Sequence, residues 1–335
     1  MSHPANAVLQ RHLDVLQQTP CLLIQPPDTE LAASLPNATL FSDDWVVTQQ
    51  SDKVEFGRFP TLTADCPRAI IFCPRERERQ EVIFANLADQ ALPDQEIWLV
   101  GQLKGGIKPA AKRLAEYFDS VQKLDSARHC AIFVAKGAKQ ERPSFKDQAT
   151  QQQHEIAGQS LTLCSFPGVF GHDKVDAGTE LLLDNLPSFT GKGLDVGCGD
   201  GIIASWLMLQ NEGLEMKAVD SNAHALAATQ ATLLANGLKA EVEAVNVYPA
   251  KPQNVAGRYQ FIVSNPPFHR GVDTSYRAAE RLIAEAREHL VAGGQLWIVA
   301  NAHLAYQPML EKSMGRTQLI AETSKYKVWR AYRQS

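Results

Sequence analysis

The sequence predicts two consecutive α/β domains, of which the second carries the chemistry. With 335 residues, the chain is long enough for about two domains that each bury a core. After residue 160, short apolar strands alternate with helical segments at close spacing, which is typical of a parallel sheet with crossover helices. The strand pattern of residues 96–101 recurs at 295–300, which indicates that one fold is used twice.

A polar segment separates the two predicted domains. Residues 138–160 are rich in glutamine, contain Pro143 and lack a sustained apolar period. We therefore expect a first domain at 1–137, a linker at 138–160 and a second domain at 161–335. The elements predicted in the first domain are strands at 69–73 and 97–100 and a helix near 81–91.

The second domain has a regular order of predicted elements. A helix over 223–236 is supported by Ser221 or Asn222 as its N-cap and by Gly237 as its end. Ahead of it come a strand at 193–196, a helix at 202–210 and a strand at 217–219. Beyond it come strands at 240–245 and 261–264, a helix with the apolar face Ala279, Leu282, Ile283, Ala286 and Leu290, and a strand at 295–300.

The first half repeats the strand pattern of the second half without its motifs. No glycine-rich turn follows its early strand at 21–24, and no Asn-Pro-Pro-aromatic segment follows its strand at 69–73. We interpret it as a degenerate copy without chemistry. The alternative is that similar strand patterns have arisen in unrelated α/β domains.

Composition excludes several classes of protein. Apolar residues make up 44% of the chain and charged residues 21%, and no apolar run approaches the length of a membrane span. The first residues show no secretory signal, and the six cysteines lack Cys-x-x-Cys spacing. We expect a cytoplasmic protein with reduced thiols, no membrane association and no structural metal.

The net charge of −4 argues against a protein that coats nucleic acid without specificity. A local basic patch could still be assembled by the fold. The alternative is that the basic residues lie on ordinary solvated faces. The two candidate stretches are Lys104, Lys108, Lys112 and Arg113 in the first half, and Lys325, Lys327, Arg330 and Arg333 near the C-terminus.

A glycine-rich turn follows the predicted strand at 193–196. Asp195 lies at the carboxyl end of that strand, the edge where open α/β sheets bind ligands, and Gly197, Gly199 and Gly201 remove side chains where the chain bends. Asp220 ends the next strand, where its carboxylate can accept hydrogen bonds from both hydroxyls of a ribose. The alternative is an ordinary strand–turn–helix corner.

The turn does not fit a dinucleotide. Its spacing is not Gly-x-Gly-x-x-Gly, and Asp200 places negative charge where a pyrophosphate would lie. A ligand with a ribose and no phosphate, such as S-adenosylmethionine, fits better, because its positive groups tolerate acidic neighbours such as Asp195. Asn246 and Val247, after the strand at 240–245, are placed to contact its adenine.

The segment Asn265-Pro266-Pro267-Phe268 is the candidate reacting element. The Asn265 side-chain oxygen and the Pro266 carbonyl can each accept a hydrogen bond from one amino group. Two such acceptors direct the nitrogen lone pair toward a methyl group, and Phe268 offers a face on which a flat base or amide stacks. The alternative is a plain turn, since proline pairs commonly end strands.

These motifs resemble the class I S-adenosylmethionine-dependent methyltransferases that act on amino nitrogens. More narrowly, the chain resembles the bacterial 16S ribosomal RNA guanine-N2 methyltransferase C family. The likeness spans essentially the whole length and rests on the degenerate first half, 166–170, 195–201, 264–268 and the ending 325–330.

The resemblance implies two tandem Rossmann-like methyltransferase domains, the first a degenerate copy that aids RNA binding or folding and the second catalytic. It implies methylation of the exocyclic N2 of a guanine in 16S rRNA, within the small ribosomal subunit, by a monomer. Two alternatives keep the chemistry, namely the N5 nitrogen of a glutamine in a translation factor and the N6 nitrogen of adenine. A third is a non-catalytic RNA-binding protein.

The resemblance also implies further cofactor contacts. In this family Val169 and Phe170 border the cofactor site, and Cys198 and Ser221 belong to its lining. Asn246 departs from the family pattern, because many methyltransferases have an aspartate there against the adenine amino group.

Overall fold

The computed structural model describes residues 3–169, 175–266 and 273–334, and for 273–276 it describes the backbone. The chain divides into two compact units, with the division between Gln148 and Ala149. Each unit is built around one sheet of seven strands. Among the described residues, no helix combines the length and the apolar character that a membrane span requires.

The first unit contains strands β1 to β7 and helices α1 to α5. The strands are β1 (Cys21–Ile24), β2 (Ala38–Ser42), β3 (Val54–Phe56), β4 (Arg68–Phe72), β5 (Glu96–Gln102), β6 (Phe118–Ala127) and β7 (Cys130–Ala138). The helices are α1 (Pro4–Leu9), α2 (Leu13–Leu16), α3 (Trp45–Thr48), α4 (Arg77–Gln90) and α5 (Ile107–Leu114). Short 3₁₀ turns lie at Gln10–His12, Leu31–Ser34 and Leu103–Gly105.

The second unit begins with a two-stranded hairpin and continues with the second large sheet. Its strands are β8 (Thr150–Ile156), β9 (Gln159–Ser165), β10 (Lys192–Val196), β11 (Glu215–Asp220), β12 (Glu241–Ala244), β13 (Tyr259–Ser264), β14 (Leu290–Asn301), β15 (Thr317–Glu322) and β16 (Tyr326–Tyr332). Its helices are α6 (Ala177–Leu183), α7 (Ile202–Gln210), α8 (Ala223–Ala235), α9 (Asp273–His289) and α10 (Gln307–Met314), with a 3₁₀ turn at Val255–Gly257.

The two large sheets share one topology. Their strand orders are β3-β2-β1-β4-β5-β7-β6 and β12-β11-β10-β13-β14-β16-β15. In both sheets the first five strands are parallel, whereas the last two pair antiparallel with their neighbours. The prediction of a duplicated α/β fold is confirmed, but each sheet is mixed rather than wholly parallel, because a hairpin closes one edge.

Alternation of side chains along the central strands divides the core into two layers on each sheet. In β5, Ile97 and Leu99 pack into the apolar cluster on one face, and Trp98 and Val100 into the cluster on the other. Central parallel strands covered by helices on both faces need apolar residues at every position. This is why these strands can be recognised in the sequence as continuous apolar runs.

The predicted linker at 138–160 contains regular structure. β7 extends to Ala138, and β8 with the start of β9 forms an antiparallel hairpin in the second unit. Most of β8 is exposed, whereas β9 is largely buried and bonds to α8, since Cys164 N donates to Thr232 Oγ1 at 2.9 Å. The exposed glutamines of β8 account for the polar sequence, because one strand of the hairpin faces solvent.

Candidate active site

The carboxyl edge of the second sheet brings together three of the predicted site residues. β11, β10 and β13 are adjacent and parallel. Asp220 ends β11, Asp195 is the second-to-last residue of β10, and Asn265 follows β13 at the same edge. Carboxyl ends of parallel strands are where ligands bind in open α/β sheets.

The glycine turn is built as its spacing predicts. Gly197, Gly199 and Gly201 adopt φ values of +74°, +57° and +81°, in the left-handed region that favours glycine. A Cβ placed on Gly197 would meet nothing within 4 Å, so the backbone there borders open space. A Cβ on Gly201 would lie 2.9 Å from Thr229 Cα, so this glycine lets the start of α7 approach α8.

Cys198 contributes its side chain to packing. Its thiol is buried, and Thr229 Oγ1 lies 3.1 Å from Cys198 Sγ and 3.1 Å from the Gly199 carbonyl oxygen. Burial raises the pKa of the Cys198 thiol well above its usual value, with Asp220 and Asp195 adding to the effect. The thiol is therefore un-ionised and ties the turn to α8.

Asp220 is held in place by the turn that it faces. Its Oδ2 accepts a hydrogen bond from Gly199 N at 3.1 Å, and its Oδ1 accepts one from Asn222 N at 2.9 Å. A carboxylate oxygen can accept more than one hydrogen bond, so these two backbone bonds do not by themselves prevent Asp220 from accepting a ligand hydroxyl. Ser221 lies beside it and is partly exposed, and Asn222 caps α8 as the sequence predicts.

Asp195 lies beneath the turn rather than on its surface. Its side chain is fully buried, and Oδ2 accepts a hydrogen bond from Ala204 N in α7 at 3.1 Å. Within the described residues, Oδ1 has no hydrogen-bond partner. Burial, with Asp220 and Asp200 nearby, raises the pKa of Asp195 to about 8, and burial raises that of Asp200 to about 7.

Asn246 and Val247 follow β12 in a tight turn at the same edge. The Asn246 carbonyl accepts hydrogen bonds from Tyr248 N at 3.1 Å and from Arg281 Nη1 at 2.8 Å. Val247, the residue enclosed by this three-residue turn, has φ of +75°, which is strained for a β-branched side chain. The Asn246 side chain is exposed. The turn thus fixes the backbone at the predicted adenine contact.

Some predicted contacts fall at the limits of the described residues. Val169 is buried in a small apolar cluster with Phe166, Ala225 and Ala228. Phe170, Pro267 and Phe268 lie outside the described residues. Pro266 is described and buried, and no described N–H donates to its carbonyl.

The side chain of Asn265 is held by two residues that the sequence interpretation missed. Its Nδ2 donates to Thr179 Oγ1 at 2.8 Å and to Asp176 Oδ2 at 3.2 Å. Asp176 is the N-cap of α6 and accepts from Gly178 N at 2.9 Å and Thr179 N at 3.2 Å. The sequence signal for Asp176 predicts only a helix start, because capping is local and Asn265 is far away in sequence.

Tyr326, at the start of β16, completes this cluster. Its hydroxyl donates to Asp176 Oδ1 at 3.3 Å, and burial together with Asp176 raises the pKa of Tyr326. A Cβ on Gly178 would lie 2.8 Å from Asp176 Oδ2 and 3.0 Å from the Tyr326 ring. Glycine at 178 therefore allows the tyrosine to approach the carboxylate.

The chemistry of this edge suits a nucleoside ligand with a charged tail. The backbone at Gly197 borders open space, and Asp220 presents a fixed carboxylate beside it. These residues fit S-adenosylmethionine, whose ribose hydroxyls donate hydrogen bonds. Among the residues with described side chains, no group of three or more His, Cys, Asp or Glu is placed to hold a metal ion.

Comparison with known proteins decides the family. The family model described as "Methyltransferase small domain" matches residues 160–330, and "Methyltransferase small domain N-terminal" matches 6–152. A ribosomal RNA small subunit methyltransferase C from Stutzerimonas stutzeri is 38% identical, over 98% of this chain and 99% of that protein. The chain belongs to the ribosomal RNA small subunit methyltransferase C family.

Other members of the methyltransferase C family are similar over the same span. The protein of that name from Pseudomonas aeruginosa is 37% identical over 98% of this chain and 99% of its own length. The Salmonella typhimurium protein is 36% identical over 98% of this chain and 96% of its own length. A solved structure of the Thermus thermophilus 16S rRNA N2 G1207 methyltransferase with AdoMet and guanosine has a TM-score of 0.82 at 22% identity, covering 96% of this chain and 91% of that one, and it shows the shared fold.

Proposed function

We propose that this protein transfers a methyl group from S-adenosylmethionine to the exocyclic N2 nitrogen of a guanine in 16S rRNA. The expected target is the position equivalent to G1207, the guanine for which the Thermus thermophilus methyltransferase is named. The observation that carries the proposal is Asn265, whose Nδ2 is engaged by Asp176 and Thr179, so that Oδ1 remains to accept a hydrogen from an amine.

The chain's own residues hold the amine and leave its lone pair free. S-adenosylmethionine supplies a methyl group bonded to a positively charged sulfur. Asn265 Oδ1 and the Pro266 carbonyl accept the two amino hydrogens, which favours a pyramidal nitrogen. Transfer of that methyl group to the nitrogen would release a neutral thioether and leave the nitrogen positively charged and acidic, so its proton would pass to solvent water without a strong base among these residues. The proposed role of Phe268 is to stack on the base.

Asp220 and the glycine turn are the proposed cofactor site. Asp220 would accept the ribose hydroxyls, Gly197 and Gly199 would admit the ligand to the backbone, and Val247 would contact the adenine. Val169, Phe170, Cys198, Gly201, Ser221 and Asn246 complete the proposed lining, with Cys198 acting through its backbone, and Asp195 supports the turn from beneath.

The same geometry could hold the amino group of adenine or of a glutamine side chain. The full-length similarity to the methyltransferase C family favours guanine in 16S rRNA, because the named relatives share both units with this chain. Incubation with labelled cofactor and either naked 16S rRNA, small ribosomal subunits or a release factor distinguishes the acceptors. Label on N2 of one guanine supports the proposal, and label only on adenine or protein would overturn it.

Asn265→Ala and Asp220→Ala test the acceptor site and the cofactor site separately. We expect Asn265→Ala to abolish methyl transfer and leave cofactor affinity nearly unchanged in calorimetry, because the amide contacts the acceptor. Asp220→Ala should weaken cofactor binding by roughly 1.5–3 kcal/mol, the cost of losing a hydrogen bond to a charged group. If Asn265→Ala weakened cofactor binding as much as turnover, its assigned role would be wrong.

RNA binding is proposed to use the basic stretch of the first unit rather than the C-terminal stretch, which belongs to the second unit. In the C-terminal stretch, Lys327 pairs with Glu322 at 3.1 Å and Arg330 bonds to Gln318 at 2.5 Å. In the first-half stretch, Lys104, Lys108 and Lys112 are exposed, and among the described residues none of them forms an ion pair. Unpaired lysines on an exposed face are the groups that bind phosphate.

These lysines lie on the segment that follows β5 at the carboxyl edge of the first sheet. Lys104 follows β5, and Lys108 and Lys112 share the exposed face of α5. The loop between β6 and β7 contacts the residue before Lys104, since Leu103 N donates to the His129 carbonyl at 2.8 Å. Arg128 and His129 form that loop with φ of +50° and +60°. This basic surface (Lys104, Lys108, Lys112, Arg128) has a charge complementary to an RNA backbone.

A further inference from the structure

We propose that Asp176 and Thr179 are positioning residues that fix the direction in which the Asn265 amide acts, with Tyr326 supporting Asp176. The inference rests on the proposed function, because it explains how that site presents one oxygen to an amine. It concerns residues at the start of α6 and β16, which lie far along the chain from the Asn-Pro-Pro-Phe segment.

The direction of the amide follows from the chemistry of its neighbours. A carboxylate can only accept hydrogen bonds, so the atom of Asn265 that lies 3.2 Å from Asp176 Oδ2 must be the donor, Nδ2. Thr179 Oγ1, at 2.8 Å, accepts from the same nitrogen. With both contacts on Nδ2, a flipped amide would place its oxygen against the carboxylate. The amide therefore has a single arrangement, in which Oδ1 remains to accept a hydrogen bond from the substrate amine.

The hydrogen bond from Nδ2 to the Asp176 carboxylate also makes Asn265 Oδ1 a stronger hydrogen-bond acceptor. Hydrogen bonds from an amide N–H to an ionised acceptor are stronger than neutral ones, and bonds in a chain polarise one another. Electron density shifts toward Oδ1 when Nδ2 donates to Asp176. The hydrogen bond from the substrate amine to Oδ1 is thereby strengthened.

Asp176 is itself fixed on several sides. Oδ2 accepts from Gly178 N at 2.9 Å and Thr179 N at 3.2 Å, and Oδ1 accepts from the Tyr326 hydroxyl at 3.3 Å. Thr179 is buried, with 4% of its surface exposed. A group that is locked by its own neighbours can position another group to within a fraction of an ångström. The cluster thus connects the helix start, the hairpin strand and Asn265.

The main competing explanation is that Asp176 only caps α6 and Thr179 only fills space. Thr179→Val keeps the volume and removes the acceptor, whereas Thr179→Ser keeps the hydroxyl. Asp176→Ser keeps an N-cap oxygen but is too short to reach Asn265 or Tyr326. Thr232→Val is the matched control, because Thr232 is also a buried threonine of this unit and, among the described residues, its hydroxyl bonds to Cys164 N and O in β9 rather than to the Asn265 cluster.

The decisive measurement combines turnover, cofactor affinity and the side-chain amide resonances of Asn265. We expect Thr179→Val to lower kcat about 2- to 13-fold and Asp176→Ser about 13- to 160-fold, as for lost hydrogen bonds to neutral and charged groups. Cofactor Kd should stay within about threefold, and Thr179→Ser should restore most of kcat. Thr232→Val should lower the melting temperature and leave kcat unchanged.

Nuclear magnetic resonance tests the orientation of the Asn265 amide independently of methyl transfer, and so independently of the proposed function. The Asn265 amide signals, assigned by their loss in Asn265→Ala, should shift in Thr179→Val and Asp176→Ser and not in Thr232→Val. If the wild-type protein methylated no RNA while these shifts occurred, the proposed function would fail and the orientation of the amide would stand. Equal kcat for Thr179→Val and Thr179→Ser, or unshifted Asn265 signals in both variants, would overturn the positioning role.

Discussion

Asp195 is a carboxyl group that the fold removes entirely from solvent. Its pKa of about 8 means that the folded protein holds it protonated at neutral pH, whereas the unfolded chain releases that proton. A pKa that is raised by folding contributes stability at low pH, and this contribution is lost as the pH rises toward the folded value. The cause is burial first, with Asp220 and Asp200 adding repulsion.

The pH dependence of stability tests this assignment. Between about pH 4 and 8, the Asp195 contribution to the free energy of unfolding should fall by up to about 1.4 kcal/mol per pH unit. Asp195→Asn, which cannot ionise, should give a flatter curve over that window in cofactor-free protein. Asp200→Asn should flatten it only up to about pH 7.

Chemical unfolding at several pH values provides the measurement. Asp184→Asn, at an exposed aspartate of the same unit, is the control that should leave the slope unchanged. A difference between Asp195→Asn and wild type that did not grow as the pH rises from 5 to 8 would show that Asp195 is ionised in the fold.

At the scale of elements, the two units build the same turn after their first sheet strand with different residues. Gly197 N donates to the Val219 carbonyl at 2.9 Å, and Gln25 N donates to the Phe41 carbonyl at 2.8 Å. Both residues adopt a left-handed backbone conformation, with φ of +74° for Gly197 and +57° for Gln25, although only one of them is glycine. In both units, therefore, the residue after the strand is fixed by a backbone bond to the neighbouring strand.

The first-unit turn is nevertheless filled by side chains. Gln25 Oε1 accepts from Asp43 N at 3.4 Å, and buried Asp43, which follows β2, pairs with Arg79 of α4. In the second unit the corresponding strand ends at Asp220, whose carboxylate accepts a hydrogen bond from the glycine turn. In the first unit the carboxylate that follows the corresponding strand is thus paired with an internal cation.

One cofactor molecule per chain is the expected stoichiometry. The site in the second unit is open at Gly197, whereas Gln25, Asp43 and Arg79 occupy the equivalent edge of the first unit. Isothermal titration of the full chain with S-adenosylmethionine should give a stoichiometry near one, and Asp220→Ala should lower the affinity of that single event. Two binding events, or unaltered binding in Asp220→Ala, would place a cofactor site in the first unit.

For the whole molecule, sequence reasoning reached the fold and the cofactor turn because their signals are local. The strand at 193–196, the helix Ile202–Gln210 and the Asn222 cap are each defined by neighbouring residues and are found where they were expected. The contact of Asp176 with Asn265 could not be predicted, because it depends on the tertiary placement of a helix start. The exposed glutamines of β8 suggested a linker, since a solvent-facing strand is polar.

The proposed activity depends on both units, because the first unit is proposed to bind the RNA that the second unit methylates. If Lys104, Lys108 and Lys112 each neutralise a phosphate, the triple change to glutamine should reduce the slope of log affinity against log salt by about 2–3, at roughly 0.7–0.9 per contact. Cofactor affinity should not change, because these residues lie in the other unit. Filter binding of 16S rRNA across a salt series measures the slope.

A matched charge change elsewhere distinguishes a docking surface from a general charge effect. Lys53, just before β3, and Lys146 are exposed lysines of the same unit that belong neither to α5 nor to the end of β5. Lys53→Gln with Lys146→Gln removes two charges, against three in the triple variant, and should leave most of the slope intact, because long-range attraction alone is screened within about 10 Å at 0.1 M salt. Equal loss in both sets of variants would mean that net charge, rather than the basic surface, attracts the RNA.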